Sequence, residues 1–443
     1  MLGAARGLGG VGRALALAVS ALLFAVACAT GLPWLQREPV ARWEQRASEL
    51  RELAFREPVG FRQISRSQLP EILRQELMNT YSPEFIKRYR DAYVALGLLP
   101  YDIDLLQTLL DVLSGQLVGL YSPHRRTLYV VRGMLEEAGD PSLMIVVHEL
   151  VHALQHQHYP RTVGLLQGLK HHDDVVLAIG ASIEGDASLT MLASDPNSGY
   201  GREMADALFF QRSMLLDLEE PNGVLAHVPR LVRVSQVFPY AYGTIQAARA
   251  YDRAGNRGLN AQLESPPLST LHVRFPEERH PVEFIRLPLE ELASQLAPRG
   301  CVMGHSNVAG MLTIQVFLEE YDPEGLHELL IRDWAGDRFV QIYCPGGWEL
   351  VWLTRWTNAS SAAEFARRYR AAADSIAGNA PLSGAPRVLE ESRTALVLSP
   401  GLLEQADLIL GKTESRSYYS LGGWMRDGCF PESPCPQPVT PTQ

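Results

Sequence analysis

Cysteine is scarce in this sequence, with five residues in 443, at positions 28, 301, 344, 429 and 435. Their spacing matches no zinc ribbon, and a chain of this length is not held together by so few crosslinks, so a hydrophobic core must do that work. Lysine is scarcer still: Lys87, Lys170 and Lys412 stand against 37 arginines. No basic run with interleaved aromatics tracks a phosphate backbone, and the formal charge is −10, which excludes nucleic acid as an expected partner. Internal repeats are lacking too. What is present is a composition 46% apolar and 20% charged, with mean hydropathy of −0.06. That balance excludes a disordered chain, a fibre and a polytopic membrane protein, and the length allows two or three domains.

The N-terminus carries Arg6 and Arg13, then an uncharged run from Ala14 to Ala27, then Cys28. A positive region followed by an apolar stretch too short for a comfortable membrane span reads as a secretory signal. Ala25, Val26, Ala27 and Cys28 resemble a bacterial lipobox, which implies cleavage after Ala27 and lipidation of Cys28. The expected product is exported and anchored by acyl chains to a bacterial membrane, facing the periplasm, with a water-soluble body. In such a compartment disulfides are allowed. Cys429 and Cys435 bracket a Pro-rich turn, and Cys301 with Cys344 is the natural complement.

Hydrophobic periodicity predicts an α+β chain, predominantly helical. Residues 29–116 read as a helical N-terminal region, in which Ser82, Pro83 and Glu84 open a helix running to Leu98. Residues 117–285 form the expected core: a hairpin of Leu117–Tyr121 and Thr127–Val131, then mostly helix. Residues 286–415 mix helices with strands and carry Trp348, Trp352 and Trp356 on one strand face, exposed or in the core. Residues 416–443 form a Cys- and Pro-rich tail.

The helix expected from Asp140 to the stop at Pro160 contains His148-Glu149-Leu150-Val151-His152. Histidines four apart share a helix face, so both imidazoles can reach one ion, while Glu149 sits beside the first. The flanks Ile145, Val146, Val147, Ala153 and Leu154 make this a buried helix. His156 and His158 read as solvent-facing or as supporting groups. Downstream, Asp173 or Asp174 is the expected cap of a helix whose stripe Leu177, Ala181, Glu184, Ser188, Met191 has Glu184 as its one charge. A carboxylate on an apolar stripe calls for a cation or a hydrogen-bond cluster. Small neighbours, Gly180, Ala181, Ser182, Gly185 and Ala187, allow the close helix approach that would bring Glu184 to the histidines.

The hairpin, the HELVHALQHQH helix and the segment Glu184-Gly185-Asp186-Ala187 resemble a gluzincin, the thermolysin-like class of zinc metallopeptidases, over Leu117 to Ala193. The resemblance implies a single zinc ion held by His148, His152 and Glu184, with Glu149 as general base and a peptide or protein as substrate. It implies a substrate strand added to an open edge of the strand ending near Val131. An oxyanion donor is needed, for which Tyr240, Tyr242, His172 and His272 are the candidates. Thermolysin has an Asp four residues after its Glu ligand where this chain has Ser188, and Asp186 is expected on a different face. Two other functions fit the sequence: a non-catalytic binding or assembly lipoprotein with a retained zinc fold, and a zinc amidase acting on cell-wall crosslinks.

The lipobox reading makes a direct prediction. Expression of the full chain with labelled fatty acid should give a labelled mature protein, and Cys28→Ser should abolish the label; label retained in that variant refutes lipidation at Cys28.

Overall fold

A computed structural model describes residues 37–132, 140–194, 199–220, 223 and 225–431. The expected signal sequence, Cys28, Cys435 and the end of the expected tail beyond Pro431 lie outside the described residues. The first part of that tail, 416–431, is folded, with the end of strand Glu414–Tyr418, helix Leu421–Arg426 and a fully buried Trp424. The chain is mixed α+β, mostly helical.

The first part runs through α1 (Arg37–Arg51), β1 (Gly60–Ile64), α2 (Leu69–Thr80), α3 (Pro83–Ala95) and α4 (Leu105–Gln116). Ser82 caps α3 by accepting from the Phe85 amide, as its sequence suggests. That helix stops at Ala95, short of Leu98, because Gly97 takes the left-handed conformation at φ 78°. The expected hairpin follows as β2 (Gly119–Ser122) and β3 (Thr127–Val131). Strand β1 pairs in parallel with β3, Phe61 opposite Leu128, so the sheet order is β1-β3-β2 and β3 is central. This overturns the expectation that the strand ending near Val131 offers an open edge. The edge strands are β1 and β2; all four residues of β2 are buried, while most of β1 is half-buried or exposed.

Three helices then build the centre: α5 (Asp140–His158), α6 (Pro160–Gly168), and α7 (Asp173–Leu192). Helix α5 lies on the sheet, its Val146, Val147, Leu150, Val151 and Leu154 packing against Tyr121, Leu128 and Val130. The opposite sheet face, with Leu120, Tyr129 and Val131, packs against Leu73, Leu77, Leu110 and Leu113 of α2 and α4. Alternation along the strands therefore produces two separate apolar layers.

Helix α7 is buried from Asp174 to Leu192 on every side, so Glu184 does not sit on a single apolar stripe. It is long and apolar enough to cross a membrane, yet it is enclosed by the rest of the fold. Neither Asp173 nor Asp174 caps it; the cap position is His172, with no side-chain cap bond. Past α8 (Met204–Leu218), helix α9 (Arg230–Ala254) crosses α7 at glycines. A Cβ on Gly185 would run into the backbone of Gly243, and one on Gly243 into the carbonyl of Ala181. The small residues thus permit a close approach as expected, with α9 as the partner.

The C-terminal part contains β4 (Val282–Arg286), β5 (Val302–Asn307), β6 (Trp334–Cys344), β7 (Gly347–Trp356), β8 (Arg387–Glu391), β9 (Thr394–Leu398) and β10 (Glu414–Tyr418). Five of these form an antiparallel sheet in the order β5-β6-β7-β9-β8, and β4 pairs with β10. Trp352 and Trp356 are fully buried and Trp348 half-buried, which settles them in the core. Cys301 and Cys344 are joined across β5 and β6. Cys429 is also disulfide-bonded, and its expected partner Cys435 lies outside the described residues.

Gly243→Ala should destabilise the fold by about 1–3 kcal/mol through overpacking, although alanine is the better helix former by about 1 kcal/mol. Chemical denaturation reads this; a variant as stable as wild type would show that the two helices can separate without cost.

Candidate metal centre

Two adjacent elements of local structure bring the ligands together. The helical spacing of α5 puts His148 and His152 on one face, and the close packing of α7 brings Glu184 against them. Nε2 of His148 and Nε2 of His152 are 3.0 Å apart, and each faces Oε2 of Glu184, at 3.2 and 3.3 Å. A tetrahedral ion with bonds of about 2.0–2.1 Å sets its ligand atoms roughly 3.3 Å apart, so this triangle fits one. The donor set agrees with such an ion: two imidazoles and a carboxylate, all but His152 under a tenth exposed.

Electrostatics point the same way. Burial works against a charge on His152, but the Glu184 carboxylate, its hydrogen bond and Glu149 outweigh this and push the imidazole up to about 9. Burial alone would raise Glu184; His152 and His148 overcome it and hold the carboxylate down to about 2. A buried carboxylate between two imidazoles requires a cation, and a proton on His152 fills that need when no metal ion does.

Glu149 lies beside this triangle, 4% exposed. Its Oε2 accepts from the Tyr121 amide of β2 at 2.7 Å. In the β2–β3 register, with the Val131 amide donating to the Val118 carbonyl, Gly119 and Tyr121 turn their backbone groups away from β3. Glu149 therefore occupies part of the sheet edge. Gly119 gives it room, since a Cβ there would stand 3.3 Å from Cγ of Glu149.

Of the four oxyanion candidates the fold brings one to the ligands. Tyr240 of α9 stacks on His148, with ring centroids 6.1 Å apart, and follows the in-helix Pro239. Tyr242 instead stacks on Phe238 and lies under Arg274. His172 is enclosed against Phe284 and Trp424, where burial and then Arg338 lower it to about 3. His272 faces the carbonyl of His280. His156 contacts the Tyr121 hydroxyl at 3.1 Å, and His158 the carbonyl of Ala54.

One group at the centre has no counterpart in the sequence reading. Gln155 Oε1 lies 2.8 Å from Nδ1 of His152, and Gln155 Nε2 donates to Asp186 Oδ2 and to the Ile183 carbonyl, each at 2.9 Å. Asp186 pairs with Nε of Arg51 at 2.8 Å. Asp186 does face away from the ligands, yet it reaches His152 through Gln155, while Ser188 is buried with its hydroxyl unpaired among the described residues. Its signal in the sequence was available: Gln155 falls three residues after His152, on an adjoining position of the same helix face. A cavity of about 130 Å³, bordered by Tyr81, Phe85, Tyr89, Leu177 and Gln236, touches none of the ligands.

Metal analysis of purified wild type should give about one divalent ion per chain, and His152→Ala and Glu184→Ala should each give none. Chelation should lower the thermal midpoint of wild type and leave that of the two variants unmoved. Full occupancy in Glu184→Ala would remove the carboxylate from the ligand set.

Residues 295–406 match the family described as a domain of unknown function, DUF8575, a segment that spans the five-stranded sheet and excludes His148, His152 and Glu184. No curated protein and no solved structure matches the chain.

Proposed function

We propose that the chain is an exported, lipid-anchored zinc metallopeptidase whose ligands are His148, His152 and Glu184 and whose general base is Glu149. The observation that carries this reading is Glu149 itself. A carboxylate unneeded for ligation sits in the site beside two histidines and a glutamate, and a purely structural ion has no use for it. When bound, zinc would supply Lewis acidity that brings the pKa of a water molecule toward neutrality.

The chain's own residues account for the rest of the chemistry. Glu149 takes the proton from the attacking water and passes it to the departing amine. The Tyr121 amide fixes one carboxylate oxygen, which leaves the other for that transfer. Tyr240, against His148, is the residue of the four candidates suited to face developing negative charge. Because Tyr121 already spends its amide on Glu149, a substrate strand beside β2 would make fewer backbone hydrogen bonds than an open edge allows.

One observation favours a second reading. The strand β2 is buried, and His148, Glu149 and Glu184 are only 4–6% exposed. Structural zinc sites are closed and catalytic ones keep an open position, so a binding or assembly lipoprotein with a retained metal fold is the alternative. Hydrolysis of a non-peptide amide in a cell-wall crosslink shares the same residues.

Glu149→Gln separates these readings. It should keep about one zinc and lose roughly 10²- to 10⁴-fold in turnover of unfolded protein substrates. Loss on muropeptides alone would assign the amidase, and wild type no faster than the variant on either substrate would assign the non-catalytic role.

A further inference from the structure

We infer that Gln155 is a positioning residue that fixes which nitrogen of His152 faces the metal, and that through it the Arg51–Asp186 ion pair makes helix α1 part of the metal centre. This rests on the metal-binding reading of His148, His152 and Glu184.

A glutamine amide has two N–H groups and one carbonyl. Gln155 directs both hydrogens at acceptors that cannot donate, the Ile183 carbonyl and the Asp186 carboxylate. Turning the amide over would set its oxygen against both of them, and each buried bond lost costs about 1–3 kcal/mol. The orientation is therefore determined without reference to His152. With the carbonyl oxygen 2.8 Å from Nδ1 of His152, that nitrogen must carry the hydrogen. A neutral imidazole has one N–H, so Nε2, the atom facing Glu184 and His148, is left bare for an ion. The two histidines differ here: Nδ1 of His148 is buried without a hydrogen-bond partner among the described residues.

The anchor extends well beyond α5. Asp186 is held by Arg51, with both side chains about 1% exposed. Arg51 in turn donates to Asn256 at 3.0 Å and Asn260 at 2.8 Å. It is the last residue of α1, so the chain's first described helix ends on the group that steadies Asp186. Ile183 directly precedes Glu184, so one side chain ties the His152 helix to the Glu184 helix between the two ligands.

A filler role alone would change stability without changing how folded protein holds metal. The test is zinc(II) affinity by competition with a chromogenic chelator on the full mature chain, with the circular dichroism and thermal midpoint of each metal-free protein recorded alongside. Wild type is measured first; if it binds no zinc, the metal reading fails and this inference with it. If wild type binds one ion, Gln155→Met, which keeps the volume and removes the bonds, should weaken binding about 10- to 100-fold while remaining folded. Cobalt(II) in that variant should also show an altered visible spectrum. Equal affinity and an unchanged spectrum would overturn the inference while leaving the metal site standing. Should Gln155→Met fail to fold, Asp186→Asn decides: it keeps an acceptor for Gln155 but loses the charge that Arg51 holds. Weakened binding there supports the relay, and wild-type affinity overturns it.

Discussion

The structure is organised by one constraint: helix α7 is enclosed on all sides and yet carries four carboxylates, Asp173, Asp174, Glu184 and Asp186. A buried carboxylate without partners is too costly to persist, so each draws a counter-group from a different part of the chain. Asp173 accepts from the hydroxyls of Tyr89 and Tyr93 on α3 and from Asn307 of β5. Asp174 accepts from the Thr270 amide and hydroxyl. Glu184 faces the two histidines of α5, and Asp186 takes Arg51 of α1. The N-terminal helices, the His148–His152–Glu184 cluster and the C-terminal sheet thus meet on a single helix, each through a charge that helix could not bury alone.

The glycine crossing adds a geometric condition to this electrostatic one. With Gly185 and Gly243 at van der Waals limits, α9 is held at a fixed height along α7. Tyr240 lies one turn before Gly243, and Glu184 is the neighbour of Gly185, so both meet His148 without a loop to adjust them. The site is built on rigid elements throughout, which suits an ion that tolerates little error in ligand position.

How much of this was legible follows from how local each signal is. The HExxH helix, the hairpin, the Glu184 helix and the Cys301–Cys344 bridge are written in spacings of a few residues or in the scarcity of cysteine, and all four appear in the fold. The parallel pairing of Gly60–Ile64 with Thr127–Val131 is not, because it joins segments more than sixty residues apart and depends on what else covers the sheet. The cap of α7 departs from the sequence expectation for a related reason. Asp173 has the chemistry of a cap, but Asn307, distant in sequence, accepts from its amide and donates to its carboxylate. The meaning of Gln155 depends on Asp186 and Arg51, which only the folded chain brings to it.

The bridge between Cys301 and Cys344 closes a loop of 43 positions, and that loop contains the core helix Gly310–Tyr321 and the first half of the long central hairpin. A single backbone cut anywhere within it leaves both fragments covalently joined, and the strands β6 and β7 still packed on the buried tryptophans. Within this loop, nicking of the backbone and loss of a fragment are therefore separate events.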